Sequence, residues 1–514
     1  MLAKVYSAFL QGLEPQIIEI EVNITSGFPK VVLVGLPDAA VKESRERVEA
    51  AIVNSGFSFP RRRITVNFAP AGLKKEGAFF DLPFALGILA ASGQIDKKNL
   101  ERYLILGELS LEGGIKKGRG VLAIALAKLR RHFEGLVVPQ ANALEAAMAG
   151  SLAVYPVKNL FEAANFLNGF YEINPFRIER EKILAQGDSY EFDFSEVKGQ
   201  HFVKRALEIA AAGFHNLLLI GPPGAGKTML ARRLLTILPP LEWRELLEST
   251  KIHSVAGLIS QDSLLLRQRP FRTPHHTSSN VALVGGGSSP RPGEVSLAHN
   301  GVLFLDELPE FRRDALEALR QPLEDSYVTI SRAKKTLRFP ARFLLVATMN
   351  PCPCGYYGTK GKKVCHCSPY QIQKYRSKVS GPLLDRIDIQ VEVPSLTPRE
   401  LLHNKEQKAE ESSSSIRERV IKAWQIQRTR FAHSRVLFNA QMSQGQIKKF
   451  CSLDLEAKSV LERALDSLGL SARAYDKVLK VARTIADLDS SDTITSSHIA
   501  EAVQYRSLDR HIWS

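Results

Sequence analysis

The chain has 514 residues, 44% hydrophobic and 24% charged, enough for about three folded domains at the usual domain size. Lysine and arginine exceed aspartate and glutamate by 69 to 54, a formal net charge of +15 that favours a polyanionic partner such as nucleic acid. No apolar stretch reaches the roughly 18 residues that span a bilayer, Glu14 and Glu19 interrupt any signal-peptide core, and five cysteines make no disulfide framework, so the composition points to a cytoplasmic protein without a membrane partner.

Over residues 1–168, short apolar strands (16–24, 31–36, 64–68, 137–139) mix with helices (38–55, 82–92), predicting an α+β domain. Residues 169–196 are richer in charge, Pro and Gly, with Asp188, Glu191, Asp193 and Glu196 close together, and read as a linker. A second domain follows over 197–394. Its apolar runs at 217–220, 301–305 and 343–348 have the continuous hydrophobicity of buried parallel strands at α/β spacing.

Between the first of these runs and a helical stretch at 229–235 stand Gly221, Pro222, Pro223, Gly224, Ala225, Gly226, Lys227 and Thr228. Strand, glycine-rich loop, helix is a phosphate cradle. The glycines let backbone N–H groups turn toward the β- and γ-phosphates, Lys227 supplies a point charge, and the Thr228 hydroxyl can ligate Mg²⁺, so a nucleoside triphosphate such as ATP is the predicted ligand. The second apolar run ends in Asp306 and Glu307, carboxylates suited to holding Mg²⁺ through water and to polarising an attacking water. The third ends at Asn350, a polar donor on the γ-phosphate side.

Residues 327–339 alternate apolar and polar around a basic tip, predicting a hairpin whose Arg332, Lys334 and Lys335 would touch DNA phosphates without regard to sequence; the alternative is a solvated tip. Cys352 and Cys354, then Cys365 and Cys367, form two CxC pairs around a loop rich in lysine. They can surround one tetrahedral Zn²⁺, although single-residue gaps are shorter than usual for zinc, and reduced structural thiols are the alternative. Cys451 stands alone and reads as core. His275 and His276 are adjacent, cannot share a helix face, and are not read as a metal site. Arg386 lies between Asp385 and Asp388, where it either stabilises γ-phosphate charge, from this chain or a neighbour, or simply pairs with those acids. Residues 395–514 predict a helical domain, with a serine-rich loop at 411–415, helices over 458–468, 474–487 and 496–506, and Arg473 opening one of them where it can reach a phosphate.

Phosphate loop, acidic strand end, Asn350, Arg386 and Arg473 together, in that order, resemble the AAA+ ATPases. The stretches 273–277, 290–299, 350–355 and 380–386 narrow the resemblance to the magnesium-chelatase-like, helix-2-insert branch and to the ComM/YifB family, over essentially the whole chain. The resemblance implies an α/β AAA+ core with a C-terminal helical lid, Asn350 as sensor 1, Arg473 as sensor 2 and Arg386 as a trans-acting finger in a homohexamer. It further implies a DNA-stimulated ATPase and helicase acting on single-stranded, double-stranded or branched DNA, promoting branch migration of transforming DNA with a recombinase as a further partner. A magnesium-chelatase-type or chaperone-like remodelling ATPase is the alternative. Residues 106–115, 120–125 and 136–139 resemble the Lon protease domain, but the segment 76–83 offers no serine and Gly120 replaces the lysine of the dyad. That departure predicts a domain without proteolysis, serving assembly or DNA contact.

Overall fold

The computed structural model describes residues 1–508 apart from 37, 73–74, 76–78, 128, 130–131, 186–189, 260–264, 288–289, 333–334, 360–362, 396–409, 435 and 469–470. The chain forms two compact units. Among the described residues no helix is long and apolar enough to cross a membrane.

The first unit comprises Met1–Gly187, Glu242–Arg267 and Ser331–Arg338. Its strands are β1 (Leu2–Gln11), β2 (Glu14–Thr25), β3 (Lys30–Val34), β4 (Arg63–Ala69), β5 (Tyr103–Ile105), β6 (Gly135–Pro139) and β7 (Ala153–Val157), joined in the order β3-β4-β2-β1-β5-β6-β7. The β1–β2 and β2–β4 pairs are antiparallel; the others are parallel. Helices α1 (Ala39–Asn54), α2 (Asp81–Ala91) and α3 (Leu160–Leu167) accompany the sheet, and every residue of α2 is buried, consistent with its apolar sequence after Asp81. Asp81 opens α2 against the Arg47 guanidinium, at 2.9 and 3.2 Å. Burial pushes its carboxyl up to about 6 against the pull of Arg47.

The helix Trp243–Ala256 comes from the stretch expected to belong wholly to the ATPase domain, yet it folds with the first unit. Its Ser254 hydroxyl accepts the Gly120 N–H at 2.9 Å and donates to the buried Glu145 carboxylate. Glu145 also accepts from Leu122 N–H at 3.0 Å and Asn142 Nδ2 at 2.8 Å, so a buried acid ties the two segments together. The place expected for a protease lysine is therefore a glycine bonded to an incoming serine. The 76–78 part of the expected serine segment lies outside the described residues.

The second unit comprises Asp188–Leu241, Gln268–Ile330 and Phe339–Ser514. Its parallel sheet runs β9-β10-β13-β8-β14, from β8 (Leu217–Ile220), β9 (Phe271–Arg272), β10 (Val302–Leu305), β13 (Leu344–Met349) and β14 (Ile389–Glu392); β11 (Tyr327–Arg332) and β12 (Lys335–Pro340) pair as a separate hairpin whose residues 331–338 count with the first unit. Every residue of β8, β10 and β13 is buried, which is why these strands read as continuous apolar runs. Around them lie α4 (His201–Gly213) and α5 (Lys227–Ile237), followed by the helical region α6 (Ser413–Arg430), α7 (Leu455–Leu468), α8 (Ala472–Leu488) and α9 (Ser496–Gln504). Trp424 Nε1 donates to the Ala211 carbonyl at 3.0 Å and Gln427 Nε2 to Ala212 at 2.8 Å, docking α6 on α4.

The serine run was expected to be a loop, and the structure corrects this. Ser412 caps the N-terminus of α6 through its side chain, and Ser413 to Ser415 form the first turn. Serines are favoured at caps because their hydroxyls satisfy free helix N–H groups, and the apolar positions Ile416, Val420 and Trp424 four apart carry the helix onward.

Candidate functional site

The loop between β8 and α5 turns through Gly226, whose φ of +85° is left-handed, and delivers Lys227 and Thr228 to the first turn of α5. Lys227 is buried. Its ammonium donates to the carbonyls of Gly221 at 2.7 Å and Pro222 at 3.0 Å and to Asn350 Oδ1 at 3.1 Å. Burial holds its pKa below the ordinary lysine value, and Asp306 and Glu307 oppose that shift.

The neighbouring strand ends supply the acids. Thr228 Oγ1 donates to Asp306 Oδ2 at 3.0 Å, and the buried Thr348 hydroxyl donates to Asp306 Oδ1 while accepting the Glu307 N–H at 3.1 Å. Thr348 thus fixes both acids from the adjacent strand. A hydroxyl and a carboxylate in direct contact beside a phosphate loop are the oxygen donors that Mg²⁺ prefers, so Thr228 and Asp306 fit that ion. Glu307 has φ +56° and ψ 51°, left-handed geometry that costs a residue with a side chain about 1 kcal/mol. It leaves the carboxylate half exposed, with Oε2 3.8 Å from His276 Nδ1. An open cavity of about 460 Å³ is lined by residues 223–229, Asp306, Glu307, Thr348, Met349 and Asn350. Lys227, Thr228, Asp306, Glu307 and Asn350 therefore meet in one place. Thr348 and His276 join them there without having been singled out for it from the sequence. A hydroxyl in an otherwise apolar buried strand was the available signal for Thr348; His276 comes from a distant loop and carried none.

Arg386 and Arg473 are not among the residues lining that cavity. Arg386 pairs with Glu324 rather than with its sequence neighbours Asp385 and Asp388, its Nε has no hydrogen-bond partner among the described residues, and it lines a second cavity of about 540 Å³ with Glu324, Arg342, Lys477 and Lys480. Arg473 is exposed and pairs with Asp385 at 3.1 Å. On the DNA-contact side, Lys334 lies outside the described residues, as do the side chains of Arg332 and Lys335.

The four cysteines converge. Their sulfurs all lie within 4.8 Å of one another, with Cys352 to Cys354 at 3.3 Å, Cys352 to Cys365 at 3.7 Å and Cys354 to Cys365 at 3.6 Å. Four thiolates about 2.3 Å from a shared Zn²⁺ stand about 3.8 Å apart along the edges of a tetrahedron, so the donor set fits the ion. The Tyr356 backbone N–H, with help from the neighbouring thiols, pulls the Cys354 thiol down to about 6. The turn after Cys354 also abuts the phosphate loop: a Cβ on Gly355, whose φ is +86°, would stand 2.5 Å from Pro223 Cδ.

Residues 193–401 match the family described as magnesium chelatase, subunit ChlI; residues 20–142 match subunit ChlI of Mg-chelatase, and 410–506 its C-terminal part. The chain is 45% identical to the competence protein ComM of Haemophilus influenzae, over 99% of this chain and 98% of that one. It is 44% identical to YifB of Escherichia coli over the same shares. The magnesium-chelatase 38 kDa subunit of Rhodobacter capsulatus is 26% identical over 31% of this chain and 50% of its own length. With relatives this similar along nearly their full length, the chain belongs to the ComM/YifB family of magnesium-chelatase-like AAA+ ATPases.

Proposed function

We propose that the protein is a cytoplasmic, hexameric, ATP-driven DNA translocase or helicase that promotes branch migration while transforming DNA is recombined, working beside a recombinase. The single observation that carries this reading is the division of the site. Lys227, Thr228, Asp306, Glu307 and Asn350 share one cavity, while Arg386, whose Nε has no hydrogen-bond partner among the described residues, lines another. An arginine displaced from its own chain's phosphates is suited to complete a neighbour's, which calls for a ring. The likeness to a competence protein and the +15 charge support DNA as the partner.

In this reading Lys227 neutralises the β- and γ-phosphates, and Glu307 orients the attacking water and accepts its proton. Asn350 donates to the γ-phosphate, Arg386 of an adjacent subunit stabilises the charge that develops there, and Arg473 reaches it from the helical region. Thr228 and Asp306 would hold Mg²⁺, which supplies further charge neutralisation across the phosphates when bound. Arg332, Lys334 and Lys335 contact DNA phosphates, the first-unit domain serves assembly or DNA contact, and Cys352, Cys354, Cys365 and Cys367 hold a structural Zn²⁺. A remodelling ATPase of magnesium-chelatase type is the second reading, favoured by the family matches across all three regions.

Mixing two dead variants tests the shared site. Glu307→Gln and Arg386→Ala should each hydrolyse ATP poorly, and their mixture should regain activity, because some interfaces then combine an intact Glu307 with an intact Arg386. No recovery on mixing, in rings shown to exchange subunits, would refute the trans arrangement.

A further inference from the structure

One end of the first unit's sheet gathers cations that the ATPase reading does not use. In the register of β3 and β4, Lys30 lies opposite Arg63, at the end of the sheet where β2 finishes. Arg61 and Arg62 precede Arg63 on the same rim. Ser58, just before them, exchanges two 2.8 Å hydrogen bonds with Gln94, which brings the 92–98 turn and its Lys97 and Lys98 alongside. Lys97 Nζ in turn donates to the Leu2 carbonyl at the start of β1, at 2.7 Å.

All six cations are exposed, and Lys30, Arg61, Arg62 and Arg63 pair with no carboxylate among the described residues. The one acid in these rim segments is Asp96, whose carboxylate accepts the Lys98 backbone N–H at 3.0 Å. Among the cations, on the loop joining β2 to β3, Phe28 is 88% exposed. A ring so fully in water buries nothing for the fold.

We propose that this rim is a binding surface for single-stranded nucleic acid, with Lys30, Arg61, Arg62 and Arg63 on successive phosphates and Phe28 stacked on an unpaired base. Rows of unpaired cations suit a phosphodiester backbone, and a lone aromatic face among them suits a base that has left a duplex. Lys30 on β3 and Arg63 on β4 sit on neighbouring strands about 4.8 Å apart, and Arg61 and Arg62 continue the row in the bend before β4, so the cations run along the rim. The inference rests on the DNA-motor reading and adds contacts by residues other than Arg332, Lys334 and Lys335.

The test uses the full-length protein, with fluorescence anisotropy of labelled oligothymidylate and of a duplex of equal length across a salt series. For the triple variant Arg61→Ala, Arg62→Ala, Arg63→Ala, affinity for the single strand should fall at least tenfold, and the slope of log affinity against log salt should flatten by about 2, at about 0.7 per lost phosphate contact. Phe28→Ala should weaken single-strand binding about tenfold and leave duplex binding nearly unchanged. Both variants should keep basal ATP hydrolysis, since these residues are exposed and lie in the other unit from the phosphate loop. Wild-type affinity and slope in the triple variant would overturn the inference while leaving the motor reading intact. A wild-type protein that binds neither oligonucleotide would sink the motor reading itself. Loss of binding to phosphatidylserine vesicles with oligonucleotide affinity unchanged would assign the rim to a lipid surface and overturn the proposal.

Discussion

Gly355 joins the thiol turn to the phosphate loop, and replacing it with alanine should weaken nucleotide binding although Gly355 itself does not line the phosphate cavity. A Cβ there would meet Pro223 Cδ at 2.5 Å and Cγ at 2.8 Å, well inside ordinary contact, which is about 3.5–4.0 Å between carbons. The φ of +86° adds a left-handed penalty of about 1–2 kcal/mol, and relieving the overlap costs about 1–3 kcal/mol more. Pro223 lines the phosphate cavity, so relief by moving the loop displaces the backbone N–H groups meant for phosphate. If half of the overlap energy falls on binding, ATP affinity drops about two- to twelvefold, at 1.4 kcal/mol per tenfold. Gly358 is the internal control: it has φ +74° but nothing within 4 Å of its added Cβ, so Gly358→Ala carries only the backbone penalty. Titration with a fluorescent ATP analogue, beside thermal denaturation, reads both quantities. Gly355→Ala should weaken binding and Gly358→Ala should only lower stability; equal ATP affinity in the two variants would refute the coupling.

Lys227→Ala should abolish ATP binding, whereas Glu307→Gln should bind ATP normally and stop hydrolysing it; near wild-type turnover in the glutamine variant would remove Glu307 from its role. Metal analysis of protein purified without chelator should find about one zinc per chain, lost in the Cys354→Ser, Cys367→Ser variant, and zinc retained by that variant would contradict the thiolate assignment. Asp388 is buried against Lys477 at 3.2 Å, His215 at 3.3 Å and the Asn216 N–H at 3.2 Å. Burial alone would raise its carboxyl, but Lys477 and His215 outweigh it and hold the group well below the ordinary value of 3.8. Its contribution is therefore full above that value and is lost as pH falls through the depressed one. Asp388→Asn strands the Lys477 ammonium and should cost about 3–5 kcal/mol by chemical denaturation at neutral pH; a loss below about 1 kcal/mol would show that the pair contributes little.

Much of the ATP site was legible because its chemistry is local. A glycine-rich loop between an apolar run and a helix, and acids directly after an apolar run, are patterns a strand–loop–helix unit imposes on neighbouring residues. Residues 217–220 match β8, and the runs at 301–305 and 343–348 match β10 and β13 to within one residue at each end, because burial on both faces leaves only apolar side chains. What depended on distant packing was hidden. The contact of His276 with Glu307, the docking of Trp243–Ala256 on the first unit through Ser254 and Glu145, and the press of Gly355 on Pro223 each join segments far apart in sequence. β1 was missed because Ser7 and Ala8 are buried beside one another and break its alternation. The serine run that caps α6 looked like a linker because composition does not distinguish a capping hydroxyl from a solvated one.

ATP hydrolysis by the full-length protein, measured with and without DNA, tests the central claim most directly. The DNA-motor reading predicts that single-stranded or branched DNA stimulates turnover several-fold, that stimulation weakens steeply with salt, and that replacing Arg332, Lys334 and Lys335 with alanine removes it while basal nucleotide binding persists. Turnover indifferent to DNA at every salt concentration would contradict that reading and favour a remodelling ATPase.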